Sequence, residues 1–419
     1  MRIASNSAAG SPNSSPAAAP ESHRPYVRAV TRPLRIDVDL NDVARGDGFL
    51  FVRSGVGVAG RGVAARVDAG DAAAVLASID RDDVVRAPGC GPIAIGILPF
   101  VPGAPAELII PAVTVTKGVD GQRWITVIDD AEVDLTAPAA PQPSTAEYVV
   151  RALTPTEVYL DAVRTARDAV RAGDLTKAVI SRDIAVASDH PIDVYAVLLR
   201  LRASFATSYR YSIDGFIGAS PELLVERHGN IVRSHPVAGT APRTGDPATD
   251  ERIAAGLIDS MKDQIEHRVV IDVVHDTLLP WCSYLDWEPE PSIVAVANVQ
   301  HLGTLIEGRL SDPAPNVLTL ARALSPTPAL GGHPRDAALR LIASVEGRDR
   351  GRYGGTVGWI DAEGNGTWAV AIRCAELSPD RRTARLSAGG GIVADSDPHA
   401  ELAETQAKFQ AMLSALIRP

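Results

Sequence analysis

At 419 residues the chain has room for one large domain or two ordinary ones, and 46% hydrophobic content with only 5% aromatics predicts a core of Ala, Val, Ile and Leu. A formal net charge of −10 argues against nucleic acid or an anionic membrane as the main partner, so an anionic small substrate would need a locally built cation site. Three widely spaced cysteines (Cys90, Cys282, Cys374), the lack of an apolar run of roughly 18 residues and the lack of an export signal point to a reduced, cytoplasmic protein without disulfides.

Residues 1–25 are rich in Ser, Ala, Pro and Asn and read as a disordered tail. Residues 26–135 alternate β-rich runs (GFLFV, IAIGILPF, AELIIPAVTV, RWITVI) with helical patches such as DAAAVLASI, an N-terminal α+β segment. TAPAAPQPST at 136–145 reads as a linker, and 146–419 as a second region with clearer patterning. There TPTEVYLDAVRTARDAVRAG opens on Thr-Pro, carries Glu157 in its first turn and stops at Gly173, as a helix should. KAVISRDIAVA follows as a strand and 191–205 as a helix. RYSIDGFIGAS, ELLVERHG and NIVRSHPVAG form an antiparallel run with turns at Gly215 and Gly229-Asn230. One long helix is expected over 247–280, ending at Pro280. Beyond it come strands in VAVANVQHLGTLIEGRL, a helix at 335–346, strands TVGWIDAEG, GTWAVAIRCAEL and TARLSAGGGIVA, and a last helix at 398–417. With no fixed repeat and no regular βαβ alternation, the class is α+β.

Two of these helices carry acidic pairs at i, i+3 spacing, Asp263/Glu266 in SMKDQIEH and Glu401/Glu404 in ELAETQAK. Each pair occupies one helix face, so the two helices packed together would converge four carboxyl groups. Buried carboxylates demand compensation, and a hard divalent cation such as Mg2+ is the usual one. Lys408 lies on the same stripe as Glu404 and would add a cationic arm for a substrate anion. Read alone, either pair is simply a charged helix face, but Val269, Val270, Val273 and Val274 predict that the first helix is deeply packed.

These pairs, with SAGGGIV at 387–393, are similar to the C-terminal signature of the chorismate-binding enzymes, the family of anthranilate, aminodeoxychorismate, isochorismate and salicylate synthases. The resemblance covers nearly all of 146–417 and implies a large two-lobed α+β fold like anthranilate synthase component I. Its antiparallel sheets have helices packed outside, and the N-terminal segment joins the same body. It implies Glu266 and Glu404 as direct Mg2+ ligands, with Asp263 and Glu401 beside them.

Other motifs extend the likeness. Lys177 in KAVISR, by itself a snorkelling lysine at a strand end, matches the lysine that activates water in isochorismate and salicylate synthases; anthranilate synthases usually have glutamine there. Glu222 in GASPELLV, by itself a solvated strand residue, matches the acid that faces that lysine across the substrate. Gly239 and Thr240 of HPVAGT, His301 of NVQHLGT, Tyr353 of RYGG, Arg373 of WAVAIR, the backbone of Gly389, Gly390 and Gly391, and Lys408 match substrate-binding positions. SPTPALGGHP at 325–334 is similar to a segment of isochorismate synthases, with His333 a departure from the commoner hydrophobic residue.

The resemblance therefore implies an Mg2+-dependent isochorismate synthase acting on chorismate, of the menaquinone or catechol-siderophore type. It further implies a monomer with no obligatory glutaminase subunit. Salicylate synthase, which goes on to eliminate pyruvate, is the alternative, and an amidotransferase-partnered anthranilate or aminodeoxychorismate synthase stands further off.

Overall fold

The computed structural model describes residues 28–296 and 299–418; the tail read at 1–25 lies outside them. Strand Glu107–Lys117 is the root of a branched sheet. It pairs along its length with Val56–Asp68, while its first residues also meet Ile93–Leu98 and its last meet Arg123–Ile128. Two arms diverge from it, and within each arm every pairing is antiparallel. One runs from Val56–Asp68 through Phe49–Arg53, Tyr209–Ile213, Phe216–Ser220, Cys374–Leu377, Thr383–Ile392 and Lys177–Ser188 to Tyr148–Ala152. The other runs from Ile93–Leu98 through Thr356–Asp361, Gly366–Val370, Leu223–His228, Ile231–His235 and Ile306–Leu310 to Cys282–Trp287. Strands from 29–135 and from 148–392 thus share one hydrogen-bonded sheet.

The chain passes between the arms at two short crossovers. One joins Phe216–Ser220 to Leu223–His228 and contains Glu222; the other joins Gly366–Val370 to Cys374–Leu377 and contains Arg373. The sequence GTWAVAIRCAEL, expected as one strand, is split there because Arg373 adopts φ +52 and turns the backbone out of the extended region. A small separate sheet of Val237–Pro242, Val299–Gly303 and Ser292–Ala295 stands beside the crossovers.

Helices cover the outer faces. In strand Lys177–Ser188, Ala178 and Ile180 join an apolar cluster with Tyr159 and Val163 of helix Thr156–Ala172, Ala338 and Ile342 of helix Arg335–Glu346, and Ile392. Ile184 and Val186 join a second cluster with Phe409, Met412 and Leu416 of helix Pro398–Ile417. With even-numbered residues committed to the helical layer, period-two alternation turns Lys177 and Val179 to the interior cavity. The helix Thr156–Ala172 ends where its glycine predicts, with Gly173 left-handed at φ 85.

The long helix expected over 247–280 is two helices, Pro247–Asp259 and Met261–Leu278. Ser260 breaks it: its backbone is extended, and its side chain accepts from the Asp263 N–H as an N-cap. Pro280 falls in a 3-10 turn, Leu279–Trp281. Among the described residues no helix is long and apolar enough to cross a membrane.

Candidate active site

The crossovers, the small sheet and the N-terminal turns of two helices enclose a cavity of about 270 Å3. Every site residue expected from the sequence lines it except Gly390, whose position points instead at the acidic helix: a Cβ there would lie 2.5 Å from Glu401 Oε2. Lys177 and Glu222, 45 positions apart in sequence, are 4% and 2% exposed and share this one space, so neither is the solvated side chain that its isolated motif would give.

Lys177 Nζ donates to Glu266 Oε1 at 2.6 Å. Among the described residues Glu222 has no such cationic partner. Its Oε1 is buried without a hydrogen bond, and burial pushes its carboxyl up to about 8, eased in part by a backbone contact from Val237 and by the charges of Lys177 and Arg373. At neutral pH it is a proton-bearing acid inside the cavity, with the buried lysine lining the same wall system.

Four acidic side chains, Asp263, Glu266, Glu401 and Glu404, line the cavity beside Lys177, Arg373 and Lys408. Lys408 Nζ bridges Glu404 Oε1 at 2.5 Å and the Gly389 carbonyl at 2.8 Å. Burial opposes charge on Glu404, but Lys408 above all, with Arg373, holds its carboxyl below the usual range. Ser396 donates to Glu401 Oε1 at 2.8 Å. Strand Thr383–Ile392 makes room for these groups: a Cβ on Gly391 would fall 2.5 Å from Lys177 Cε and 3.2 Å from Glu266 Oε1.

Among the described residues no three His, Cys, Asp or Glu are gathered tightly enough to hold a metal alone. The all-oxygen donor set nonetheless fits Mg2+, which keeps several waters and takes one or two protein carboxylates plus ligand oxygens. With a ligand bearing two carboxylates, six carboxyl groups would face the three lining cations, and a divalent cation would offset most of the difference. Glu266 and Glu404 flank the Gly390–Gly391 segment and are the residues that would hold it.

The opposite wall is cationic. His301 Nδ1 lies 2.9 Å from the Gly239 carbonyl and 3.2 Å from Thr240 Oγ1, and its Nε2 lies 3.2 Å from Arg373 Nη2. A carbonyl can only accept and a guanidinium only donate, so the ring is neutral with its hydrogen on Nδ1. Burial and Arg373 agree, lowering its pKa to about 3. The ring thus orients Arg373 without neutralising it, and among the described residues Arg373 Nε is left buried with no acceptor. Gly239, at φ 66, passes within reach of Asp263: a Cβ would lie 3.3 Å from its Oδ1. Tyr353 is 5% exposed, and burial raises its phenol pKa.

Sequence reasoning missed the support behind this wall. Arg350 is fully buried, donates to Glu346, to the Leu330 carbonyl at 2.9 Å and to the Val179 carbonyl at 2.6 Å, and sits over the Phe100 ring at 4.3 Å. Leu330 and Val179 both line the cavity, so one guanidinium ties the 325–334 loop to the strand of Lys177. Gly332–His333 pairs with Lys177–Ala178 in the same place. The signal available was the spacing of Glu346 and Arg350 at i, i+4, which alone reads as a surface pair.

With this geometry in hand, residues 106–417 match the family model described as chorismate binding enzyme. The chain belongs to the chorismate-binding enzyme family. The chain is 43% identical over 341 residues to the MenF protein of Mycobacterium tuberculosis, covering 78% of this chain and 87% of that one. It is 38% identical over 338 residues to the isochorismate synthase DhbC of Bacillus subtilis, covering 78% and 81%. The crystal structure of DhbC from Bacillus anthracis superposes with a TM-score of 0.75 at 33% identity, over 91% of this chain and 99% of that one. The α+β, two-armed architecture with helices outside is therefore that of the chorismate-binding enzymes.

Proposed function

We propose that this enzyme is an Mg2+-dependent isochorismate synthase, converting chorismate to isochorismate by water attack at C2 and loss of the C4 hydroxyl. The observation that carries this reading is a buried lysine and a buried, proton-bearing carboxyl on one cavity. Lys177 takes the proton of the attacking water, and Glu222 gives its proton to the departing hydroxyl. Arg373, Tyr353 and the Gly389–Gly391 backbone fix the enolpyruvyl arm, so the attack geometry exists before chemistry begins. Lys408 meets the ring carboxylate. Mg2+ held by Glu266 and Glu404, with Asp263 and Glu401 beside them, would supply Lewis-acid withdrawal of electron density from that carboxylate. Glu266 is now the partner of Lys177; turning this carboxylate away would favour loss of the ammonium proton to solvent, and the neutral amine so formed is the base.

The activity named for the Bacillus subtilis relative supports this reading. So does the 325–334 loop, whose resemblance to that of isochorismate synthases favours release of isochorismate over pyruvate elimination to salicylate. Chromatography of the product formed from chorismate and Mg2+ is the test. Isochorismate is expected; salicylate would move the chain to the alternative, and anthranilate formed with ammonia would overturn the reading. Lys177→Ala should abolish turnover while chorismate binding persists, and normal turnover by that variant would remove Lys177 as the base.

A further inference from the structure

A second cavity, of about 150 Å3, lies away from the catalytic one, beside strands Phe49–Arg53 and Tyr209–Ile213, and is lined by Asp39, Asn41, Lys117, Arg202 and Arg210. Arg210 is 1% exposed and among the largest fully buried side chains. Its charge is met by a neutral amide: one Nη donates to Asn41 Oδ1 at 2.9 Å, its Nε has no acceptor, and among the described residues it has no ion-pair partner. Asp39, the carboxylate of this cavity, is already engaged. Its Oδ2 accepts from Arg202, and its Oδ1 accepts from the Asn41 side chain at 2.5 Å and the Asn41 backbone at 2.8 Å.

A buried guanidinium without a carboxylate is costly, and arginine does not escape by giving up its proton. Burial lowers Arg210 to about 10, which still leaves it charged at neutral pH. Arg210, Arg202 and Lys117 therefore face one cavity against the single charge of Asp39. We propose that this cavity is a binding site for a small tetrahedral oxyanion of the phosphate class. Such an anion brings acceptor oxygens to the orphan Nε of Arg210 and a counter-charge to the pair of unmatched cations. The volume is little more than half that of the catalytic cavity, which suits a small anion better than a ring bearing two carboxylates. The site makes no use of the catalytic residues, so it stands or falls independently of the proposed reaction.

The test is calorimetric titration of inorganic phosphate into the full chain at constant ionic strength, with the wild type and the variants Lys117→Gln and Arg210→Gln. Saturable binding is expected, weakened about tenfold by Lys117→Gln through loss of one charge-assisted contact, with turnover unchanged in that variant. Crystals soaked in selenate should show its anomalous signal at hydrogen-bond distance from the Arg210 guanidinium. If Arg210→Gln fails to fold, Lys117→Gln and the selenate position decide alone. Displacement of bound phosphate by glycerol 3-phosphate would support a site open to phosphomonoesters, and phosphate binding undisturbed by it would support a closed one. The proposal is overturned if phosphate affinity is the same in wild type and Lys117→Gln, or if selenate is found in the catalytic cavity alone. Selenate at Arg210 without saturable phosphate binding in solution marks an adventitious ion only, and equally overturns it.

Discussion

Burial sets the protonation of Glu222 before any substrate arrives. With its carboxyl raised from 4.5 to about 8, the acid is present at neutral pH and disappears in mild alkali. Turnover should therefore decline as pH rises through about 8, and Glu222→Gln, which cannot donate a carboxylic proton, should lose about 10²- to 10⁴-fold in kcat. A flat rate profile across that range in the wild type would remove Glu222 as the acid. The same shift has a stability counterpart. The native state holds this proton more tightly than the unfolded chain, so the contribution is full below about 4.5 and is lost as pH rises to about 8. Denaturant midpoints of the wild type should fall across that window relative to those of Glu222→Gln; parallel curves would contradict the assignment. His301 makes the reverse case: held near 3, it stays neutral with its hydrogen on Nδ1 at working pH. Nitrogen NMR of the ring should show that tautomer with no titration between roughly pH 5 and 8.

Elements place these residues, and the placement was legible in unequal degree. Local signals succeeded where one segment decides its own geometry. Gly173 marked a helix end, and Asp263/Glu266 and Glu401/Glu404 announced shared faces that do line one cavity. The break at Ser260 was missed because apolar positions continue on both sides of it, and a serine inside an amphipathic run is ordinary; only its cap on Asp263 reveals the break. Arg350 was invisible for a different reason. Its pair with Glu346 at i, i+4 reads as a surface contact, and the two carbonyls that bury it lie 20 and 171 positions away, where no spacing rule reaches. Arg350→Met should destabilise the protein by about 3 kcal/mol, because buried Glu346 would lose its close ion pair and keep Arg348 only at 3.6 Å. Urea denaturation measures this, and a loss below about 1 kcal/mol would demote the pair to the value of a surface contact.

For the molecule as a whole, the two sheet arms share strand Glu107–Lys117 and two crossovers, and the cavity lies between those crossovers. The class α+β and the motif list were accessible from sequence, but the branching was not, since it depends on which strands pair across more than a hundred residues. Lys177 illustrates the limit: alone it is a strand-end lysine, and only the loop 325–334, the Gly391 strand and Glu266 together bury it. Ligands that bridge both arms should stabilise both. In Lys177→Ala, chorismate with Mg2+ at about a hundred times Kd should add about 2.7 kcal/mol and raise Tm, while Glu404→Gln should blunt the dependence on Mg2+. An Mg2+ titration unchanged by Glu404→Gln would take that residue out of the metal site.

The most direct test of the central claim, that a lysine-activated water enters at C2 as a Glu222-protonated hydroxyl leaves C4, is turnover of chorismate with Mg2+ in oxygen-18 water. Isochorismate carrying one heavy oxygen, formed by the wild type and lost in Lys177→Ala, is the predicted result. Unlabelled isochorismate, or labelled product formed equally well without Lys177, would contradict it.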